Sequence, residues 1–315
     1  MSTRIFIDGE AGTTGLQIRE RLAGRSDLTL LSIDHDRRKD LSERKRLLNA
    51  ADIAILCLPD DAAKESVAMI ENGTTRVIDA STAHRVAEGW TYGFAEMDKA
   101  QGAAIAAARF IANPGCWPQG LIAAMRPLIG AGLVPADQPI AYHGISGYSG
   151  GGRSMIEEYE AAGTSASQYM PYALTFGHKH LPEMTAYGRL ARTPLFEPVV
   201  GNFAQGMTTS VPLLLETLPR VPTGAELHAA LADHFAAIPG SFVTVAPYDS
   251  ALGKTAALDP QAHNGTNAMT LHVFANDRRA QAVIVAVYDN LGKGASGAAV
   301  QNLNLMIGAD PALGL

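Results

Sequence analysis

Cysteine is scarce in this sequence. Only two thiols, Cys57 and Cys116, occur among 315 residues, which excludes the disulfide framework of a small secreted domain and fits a reducing compartment. No apolar run approaches the roughly 20 residues that a membrane-spanning helix needs. The N-terminus enters a strand-like segment without the apolar core of a signal peptide. We therefore expect a cytoplasmic protein that makes no association with a membrane.

Basic residues are also too few to form a nucleic-acid-binding face. The net charge is −6, and the one dense basic run, Arg37-Arg38-Lys39, is followed by Arg44-Lys45-Arg46. Nucleic-acid-binding proteins typically present a broader basic surface, so we expect no nucleic-acid partner. With 47% hydrophobic and 18% charged residues, the chain has the composition of a globular protein of about two domains.

Short apolar segments alternate with helical patterns in the first hundred residues. Helices are predicted at Thr14–Ala23 and from Asp60 to Ile70, and strands at Arg4–Asp8, Leu28–Ile33, Ala51–Leu58 and Arg76–Asp79. Continuous apolar strands separated by helices indicate a parallel sheet covered on both faces. The fold class is therefore α/β, with a Rossmann-type domain over residues 1–112.

Longer strand-like segments follow from residue 113. Helices are predicted at Gly115–Ile129 and Thr223–Ala237, and strands at Pro139–Ser146, Gly206–Leu215, Ser241–Pro247, Asn267–Phe274 and Ala282–Tyr288. This pattern predicts an α+β domain with a mixed or antiparallel sheet over residues 113–289. The tail, Gly294–Met306, is again helical in pattern.

A glycine-rich turn joins the first strand to the first helix. Gly9, Gly12 and Gly15 are spaced G-x-x-G-x-x-G, with Thr13 and Thr14 between the last two. Glycine lets the backbone turn tightly and approach a phosphate, and a helix N-terminus offers free N–H groups to a pyrophosphate. In a strand–turn–helix context this pattern predicts dinucleotide binding by these five residues.

The end of the second strand bears on which dinucleotide binds. Asp34 and Asp36 favour NAD, because an acidic residue there commonly binds the ribose hydroxyl. Arg37 and Arg38 favour NADP, because guanidinium groups pair well with a 2′-phosphate. We predict NADP as the cofactor.

Cys116 lies in the segment Asn113-Pro-Gly-Cys-Trp-Pro118, at the predicted start of a helix. Proline is tolerated in a first helical turn, and a helix N-terminus stabilises a thiolate. Cys116 is therefore the candidate nucleophile. Cys57 lies in a buried strand pattern and is expected to be inert.

Several segments, in order along the whole chain, resemble the short form of the N-acetyl-γ-glutamyl-phosphate reductases: Gly9–Gly15, Asp79–Arg85, Asn113–Pro118, Gly144–Ser154, His178–Glu183 and Asp289–Asn304. The resemblance implies a cofactor domain to which the C-terminal helix, about 290–315, returns. It also implies a catalytic and dimerisation domain like that of aspartate-semialdehyde dehydrogenase, a cysteine nucleophile, and a homodimer or homotetramer. Trp117 and Gln119 depart from the family, which more often has Phe or Tyr and then Thr at those positions.

Two histidines are candidates for proton transfer at the thiol. His178 and His180 are imidazoles that titrate near neutral pH, and the resemblance favours His178 as the acid–base. His143 is a weaker candidate. Glu183 lies near the pair, but the sequence supplies no further ligand cluster, so we expect no metal site.

Other side chains are candidates for anion and cofactor binding. The resemblance assigns phosphate to Arg85, and we add Ser81, Asn113 and Arg153 as substrate or phosphate contacts. The loop Gly144–Ser154, called here the glycine-serine loop, contributes Ser146 and Gly147 as predicted cofactor contacts, and the C-terminal helix contributes Asn302.

Together these features predict NADPH-dependent reduction of N-acetyl-L-glutamyl 5-phosphate through a thioester on Cys116. The substrate alternatives are aspartyl phosphate and a carrier-bound aminoadipyl phosphate. A cofactor-binding regulator without turnover is the alternative of another class.

Overall fold

A computed structural model describes residues 2–249 and 258–315, except for the side chain of His35. The chain divides into two compact units. The first contains the residues up to Ala95, Ala100–Gly115 and Ala295–Leu315, and the second contains Glu96–Lys99 and Cys116–Gly294. The division at 115/116 lies three residues after the predicted boundary at 112/113. The short excursion at Glu96–Lys99 was not predicted.

The first unit is built on a parallel sheet with the strand order β2-β1-β3-β4-β6-β5. Its strands are β1 (Thr3–Asp8), β2 (Leu28–Leu31), β3 (Ile53–Leu56), β4 (Arg76–Asp79), β5 (Thr91–Tyr92) and β6 (Phe110–Ala112). Its helices are α1 (Thr13–Leu22), α2 (Leu41–Ala50), α3 (Asp60–Ala68), α4 (Gln101–Ala107) and α9 (Gly297–Ile307).

Apolar side chains alternate between the two faces of this sheet. On one face Ile5 and Ile7 of β1 pack with Ile18 of α1 and Leu303 of α9. On the other face Phe6 packs with the buried residues of α2 and α3. Helices therefore cover both faces of the parallel sheet, as the apolar strands predicted.

The second unit contains a mixed sheet with the order β11-β12-β13-β10-β7-β9-β8. Its strands are β7 (Ala141–Gly147), β8 (Tyr169–Pro171), β9 (Leu195–Gly201), β10 (Met207–Leu214), β11 (Val243–Val245), β12 (Met269–Asn276) and β13 (Gln281–Tyr288). The helices are α5 (Cys116–Gly130), α6 (Gly152–Ala162), α7 (Leu181–Tyr187) and α8 (Gly224–Ala236). The predicted α+β character of this half is confirmed.

Helix α5 is largely buried in the second unit, because most of its side chains are apolar or small. Its burial fixes Cys116, the first residue of the helix. No helix within residues 2–249 and 258–315 is long and apolar enough to cross a membrane.

Candidate active site

The glycine-rich turn of the first unit forms a cradle at the end of β1. Gly9 has φ +89°, and a Cβ atom there would overlap the carbonyl oxygen of Cys57, so only glycine fits without strain. Gly12 is the N-cap of α1, and Thr13, Thr14 and Gly15 form its first turn. The first-turn N–H groups of a helix are free to bind an anion.

A cavity of about 340 Å³ adjoins this turn and is lined in part by Gly9, Glu10, Arg38 and Lys39. Arg37, predicted to bind the cofactor, does not line the cavity. Its guanidinium lies 3.0 Å from the carboxylate of Asp40 and 3.4 Å from that of Glu43. The reason is local: Arg37 ends a 3-10 turn that directs its side chain toward α2. The basic residues of the cavity wall therefore include Arg38 and Lys39, of which Lys39 was not predicted.

Arg44 also lines this cavity and pairs with Asp8 at the end of β1. The Arg44 Nη2 atom lies 3.0 Å from the Asp8 carboxylate and donates to Ser66 Oγ at 2.7 Å. Both charged side chains are buried. This pair gives the buried Asp8 carboxylate a cationic partner, and Arg38 and Lys39 are further basic residues of the same cavity wall.

Ser81 and Arg85, in the loop after β4, lie beside Asn113, which follows β6. The Asp79 carboxylate accepts from the backbone N–H of Ser81 at 2.9 Å and from its hydroxyl at 2.7 Å, and lies 2.6 Å from His84 Nδ1. Arg85 donates to the carbonyl oxygens of Asn113 at 3.0 Å and Ala80 at 3.1 Å. Ser81, Arg85 and Asn113 thus lie close together and are buried.

Asn302 does not line the cavity beside the glycine-rich turn. Its side chain is fully buried in α9, and its amide donates to Gly93 O and Asn113 Oδ1, both at 3.0 Å. The Asn302 side chain therefore takes part in an internal hydrogen-bond network that holds Asn113. Sequence could not show this, because the partners lie 189 and 209 residues away.

Cys116 lies at the N-terminus of α5 and opens into a cavity of about 260 Å³ in the second unit. The cavity is also lined by His178, His180 and Tyr172. The Cys116 carbonyl accepts a hydrogen bond from the Tyr288 hydroxyl at 2.8 Å, which holds the backbone at this residue. The structure therefore brings the predicted cysteine and both predicted histidines to one cavity.

The two histidines have different partners. His180 Nδ1 lies 2.6 Å from Glu183 Oε1, and both side chains are buried. His178 Nδ1 accepts the backbone N–H of His180 at 3.1 Å. The ring centroids lie 4.8 Å apart. The pair is brought together by a turn before α7, whereas the spacing alone suggested an extended segment.

The glycine-serine loop contributes Ser146 and Gly147 to the wall of the Cys116 cavity. Arg153 is exposed in the first turn of α6 and does not line this cavity. His143 lies on β7, 3.7 Å from the Glu197 carboxylate, and is likewise not among the lining residues. The loop is shorter than the sequence suggested, because β7 extends to Gly147 and α6 begins at Gly152.

A buried turn after β13 supports this cavity and was missed by the sequence reasoning. Lys293 Nζ lies 2.6 Å from Glu96 Oε2, and each side chain is 1% exposed. The Lys293 carbonyl accepts from Gln119 in the first turns of α5 at 2.7 Å. A Cβ atom on Gly294 would lie 2.8 Å from Cys116 Cβ. Burial lowers the pKa of Lys293, while the Glu96 carboxylate opposes that shift.

The second thiol has a different environment. Burial, followed by the carboxylates of Asp79 and Asp8, raises the pKa of Cys57 to about 12. A thiol with such a pKa stays protonated near neutral pH and is a weak nucleophile. Within the described ranges, no three His, Cys, Asp or Glu side chains group as metal ligands.

Comparison with known proteins places this geometry in a family. Residues 10–105 match the family model "Semialdehyde dehydrogenase, NAD binding domain", and residues 116–290 match "Semialdehyde dehydrogenase, dimerisation domain". The chain thus carries a domain for a nicotinamide dinucleotide and one of a type associated with dimerisation.

Solved structures share the fold. An aspartate semialdehyde dehydrogenase II from Vibrio cholerae superposes with a TM-score of 0.72 at 15% identity, covering 98% of each chain. The enzyme from Francisella tularensis gives a TM-score of 0.72 at 15% identity, covering 97% of this chain and 100% of the other. These similarities confirm the predicted two-part α/β architecture.

Similarity in sequence extends over nearly the whole chain. A protein named N-acetyl-gamma-glutamyl-phosphate reductase from Mesorhizobium japonicum is 66% identical over 98% of this chain and 100% of its own length. A protein of the same name from Chelativorans sp. is 66% identical over 98% of this chain and 99% of its own. This chain therefore belongs to the N-acetyl-gamma-glutamyl-phosphate reductase family of semialdehyde dehydrogenase-type oxidoreductases.

Proposed function

We propose that the protein reduces N-acetyl-L-glutamyl 5-phosphate to N-acetyl-L-glutamate 5-semialdehyde and phosphate, with NADPH as reductant, in arginine biosynthesis. The observation that carries this proposal is Cys116 at a helix N-terminus, in one cavity with His178 and His180. The names of the relatives at 66% identity support the choice of substrate.

The residues of the first unit fit NADP. Gly9 lets the turn pack closely against the backbone of Cys57, and Arg38 and Lys39 line the adjoining cavity. Cations in that place suit a 2′-phosphate better than a ribose hydroxyl. When bound, the reduced nicotinamide supplies a hydride to the acyl carbon.

Cys116 acts first in the proposed reaction. Its thiolate attacks the acyl carbon, the S–C bond forms, and the C–O bond to phosphate breaks with the electron pair leaving on phosphate. After hydride addition the oxyanion takes a proton from a histidine. The C–S bond then breaks, the hydroxyl proton returns to the histidine, and the aldehyde leaves. Covalent catalysis thereby divides one difficult step into two.

We assign the acid–base role to His180 in place of His178, which the family resemblance favoured. The Glu183 carboxylate, 2.6 Å from His180 Nδ1, orients the ring and stabilises the imidazolium, and we assign the proton transfer to Nε2. The Nδ1 atom of His178 instead accepts a backbone N–H, which suits a hydrogen-bond donor to substrate through Nε2.

Ser81, Arg85 and Asn113 remain our candidates for phosphate. Asp79 and other internal hydrogen bonds hold all three in place. Arg85→Ala is expected to raise the KM for phosphate in the reverse reaction more than it lowers kcat.

Phosphate-dependent oxidation of the semialdehyde with NADP⁺ tests the function. Aspartate semialdehyde is the competing substrate, and turnover of it at a higher kcat/KM would overturn the substrate assignment. His180→Asn is expected to lower kcat by about 10²–10⁴-fold, whereas His178→Asn is expected mainly to raise KM. Cys116→Ser is expected to abolish turnover, and full activity in that variant contradicts the thioester.

Binding of 2′,5′-ADP tests the cofactor assignment without turnover, because this probe carries the 2′-phosphate and 5′-AMP does not. Arg38→Ala and Lys39→Ala are each expected to weaken 2′,5′-ADP binding and leave 5′-AMP binding unchanged. Arg37→Ala is the matched control. A loss confined to the Arg37 variant would show that the 2′-phosphate is bound by the residue that the structure pairs with Asp40.

We further propose a homodimer or homotetramer assembled through the exposed side of the second unit's sheet. Leu195 and Leu214 are 56% and 55% exposed there, and residues 116–290 match a dimerisation-type domain. Sedimentation of Leu214→Glu against the native protein tests this surface. An unchanged oligomer would place the interface elsewhere.

A further inference from the structure

Tyr172 precedes the two histidines in sequence and lines the same cavity as Cys116. It follows β8 directly, and its backbone N–H donates to Pro198 O of β9 at 3.1 Å. Its ring centroid is 5.7 Å from that of His178. The residue is thus held by its backbone hydrogen bond to β9 and by the contact of its ring with His178.

The hydroxyl of Tyr172 has a defined direction for its proton. The indole nitrogen of Trp117 donates to the Tyr172 oxygen at 3.0 Å. An indole N–H is only a donor, so the tyrosine oxygen must be the acceptor and its own O–H is left to donate elsewhere. Trp117 follows Cys116 in sequence and is only 3% exposed, with its ring edge-on to Phe196 at 5.3 Å. The hydroxyl is therefore held by the neighbour of the nucleophile.

The hydroxyl also stays protonated at neutral pH. Burial, followed by the proximity of Cys116, raises the pKa of Tyr172 above its usual value. Such a neutral hydrogen-bond donor does not form an ion pair with the thiolate. It is suited to stabilise an oxygen that acquires negative charge during the reaction.

We propose that Tyr172 is a further catalytic residue, whose hydroxyl donates a hydrogen bond to the acyl oxygen as Cys116 attacks. The S–C bond forms, the π electrons of the carbonyl move to oxygen, and Tyr172 stabilises that oxyanion without losing its proton. When the carbonyl re-forms, the bond to the leaving group breaks. Trp117 is the positioning residue of this pair, which gives a role to a residue where the family more often has Phe or Tyr. The proposal rests on the proposed function only for Cys116 as nucleophile.

Two reactions of the same thiol separate this role from a structural one. Acylation by p-nitrophenyl acetate, followed as p-nitrophenolate release, passes through an oxyanion. Alkylation by iodoacetamide does not. Both are measured in full-length protein with Cys57→Ser, so that Cys116 alone reports.

Tyr172→Phe is expected to slow acylation by about 10²–10³-fold and to change alkylation less than twofold. Trp117→Phe leaves the hydroxyl but removes its partner, so a smaller loss of acylation is expected, again with alkylation kept. Tyr169→Phe, an exposed tyrosine three residues earlier, is the matched control and is expected to change neither rate.

Two results would overturn the proposal: acylation unchanged in Tyr172→Phe, or acylation and alkylation slowed by the same factor, which would make Tyr172 a support for the thiol. The proposed function fails separately. A protein that is acylated by p-nitrophenyl acetate but does not oxidise the semialdehyde would refute the substrate assignment and leave the role of Tyr172 intact.

Discussion

The buried pair formed by Glu96 and Lys293 offers a stability prediction of large size. The two charged groups lie 2.6 Å apart, and each side chain is 1% exposed. Lys293→Met keeps the length of the side chain and removes its charge. The Glu96 carboxylate then stays buried without its cation, although its other oxygen still accepts the backbone N–H of Phe242 at 3.2 Å.

The magnitude follows from this burial. Removing one partner of a buried pair costs about 3–5 kcal/mol, because the remaining charge is not solvated. For a unit of this size each kcal/mol lowers Tm by roughly 2–4 °C, so the expected fall is about 6–20 °C. Neutralising both groups in Glu96→Gln/Lys293→Met is expected to recover most of that loss, since glutamine still accepts from Phe242 and no charge is left buried.

Thermal unfolding followed by circular dichroism measures these values. Lys45→Met is the matched control, because Lys45 also lies 2.6 Å from its carboxylate partner Glu71, but with side chains 46% and 68% exposed. A pair in solvent contributes about 0–1 kcal/mol, so the control should unfold close to the native protein. If Lys293→Met and Lys45→Met lower Tm equally, or if the double variant is no more stable than Lys293→Met, burial is not what makes the pair important.

Three further predictions concern the glycine turn, the thiols and a helix cap. Gly9→Ala is expected to lower both Tm and 2′,5′-ADP affinity, because alanine at φ +89° overlaps Cys57. Gly73→Ala is the control and should change neither, because its Cβ meets nothing within 4 Å. Equal effects of the two substitutions would refute the steric argument. Iodoacetamide at pH 8 should modify one thiol, since the pKa of Cys57 is about 12. Cys57→Ser is expected to leave the rate of alkylation unchanged, and Cys116→Ser is expected to abolish it. The reverse pattern would contradict the assignment of Cys116 as nucleophile. The backbone N–H of Thr223 and then the Arg220 guanidinium lower the pKa of Glu226 to about 2. The stability that this carboxylate contributes is therefore complete above the ordinary pKa of a glutamate and is lost as pH falls toward 2. The Tm difference between the native protein and Glu226→Gln should shrink over that range, and a difference independent of pH would exclude the carboxylate as its source.

The fold was predictable wherever apolar periodicity alone decided the element. β4 was predicted with its observed bounds, Arg76–Asp79, and β1 differs from its prediction by one residue. Helix α2 was missed because its basic residues read as a charge run, although Asp40 caps it by accepting the N–H groups of Ser42 and Glu43. β9 was missed as well. It contains Pro198, which is unusual within a strand, and it is held by parallel pairing with β7.

The residues of the candidate site were predictable where they belong to short contiguous motifs. The helix start at Cys116 and the histidine segment are local, so the sequence named three residues that the structure places on one cavity. The direction of a side chain is less local. Arg37 and Arg38 are neighbours with the same charge, yet of the two only Arg38 lines the cavity beside the glycine-rich turn, because Arg37 pairs with Asp40.

The supports of the site were beyond sequence reasoning for a physical reason. Each is a polar group whose partner lies far along the chain: Glu96 with Lys293 is separated by 197 residues, and Trp117 with Tyr172 by 55. Such bonds leave no periodic pattern, and a buried polar residue looks in sequence like an exposed one. Yet a buried polar group must find a partner, so each of these residues fixes two distant segments at once. The residues that a local reading leaves without a role are therefore those that join the segment of Cys116 to the rest of the second unit, as Trp117 does through its hydrogen bond to Tyr172.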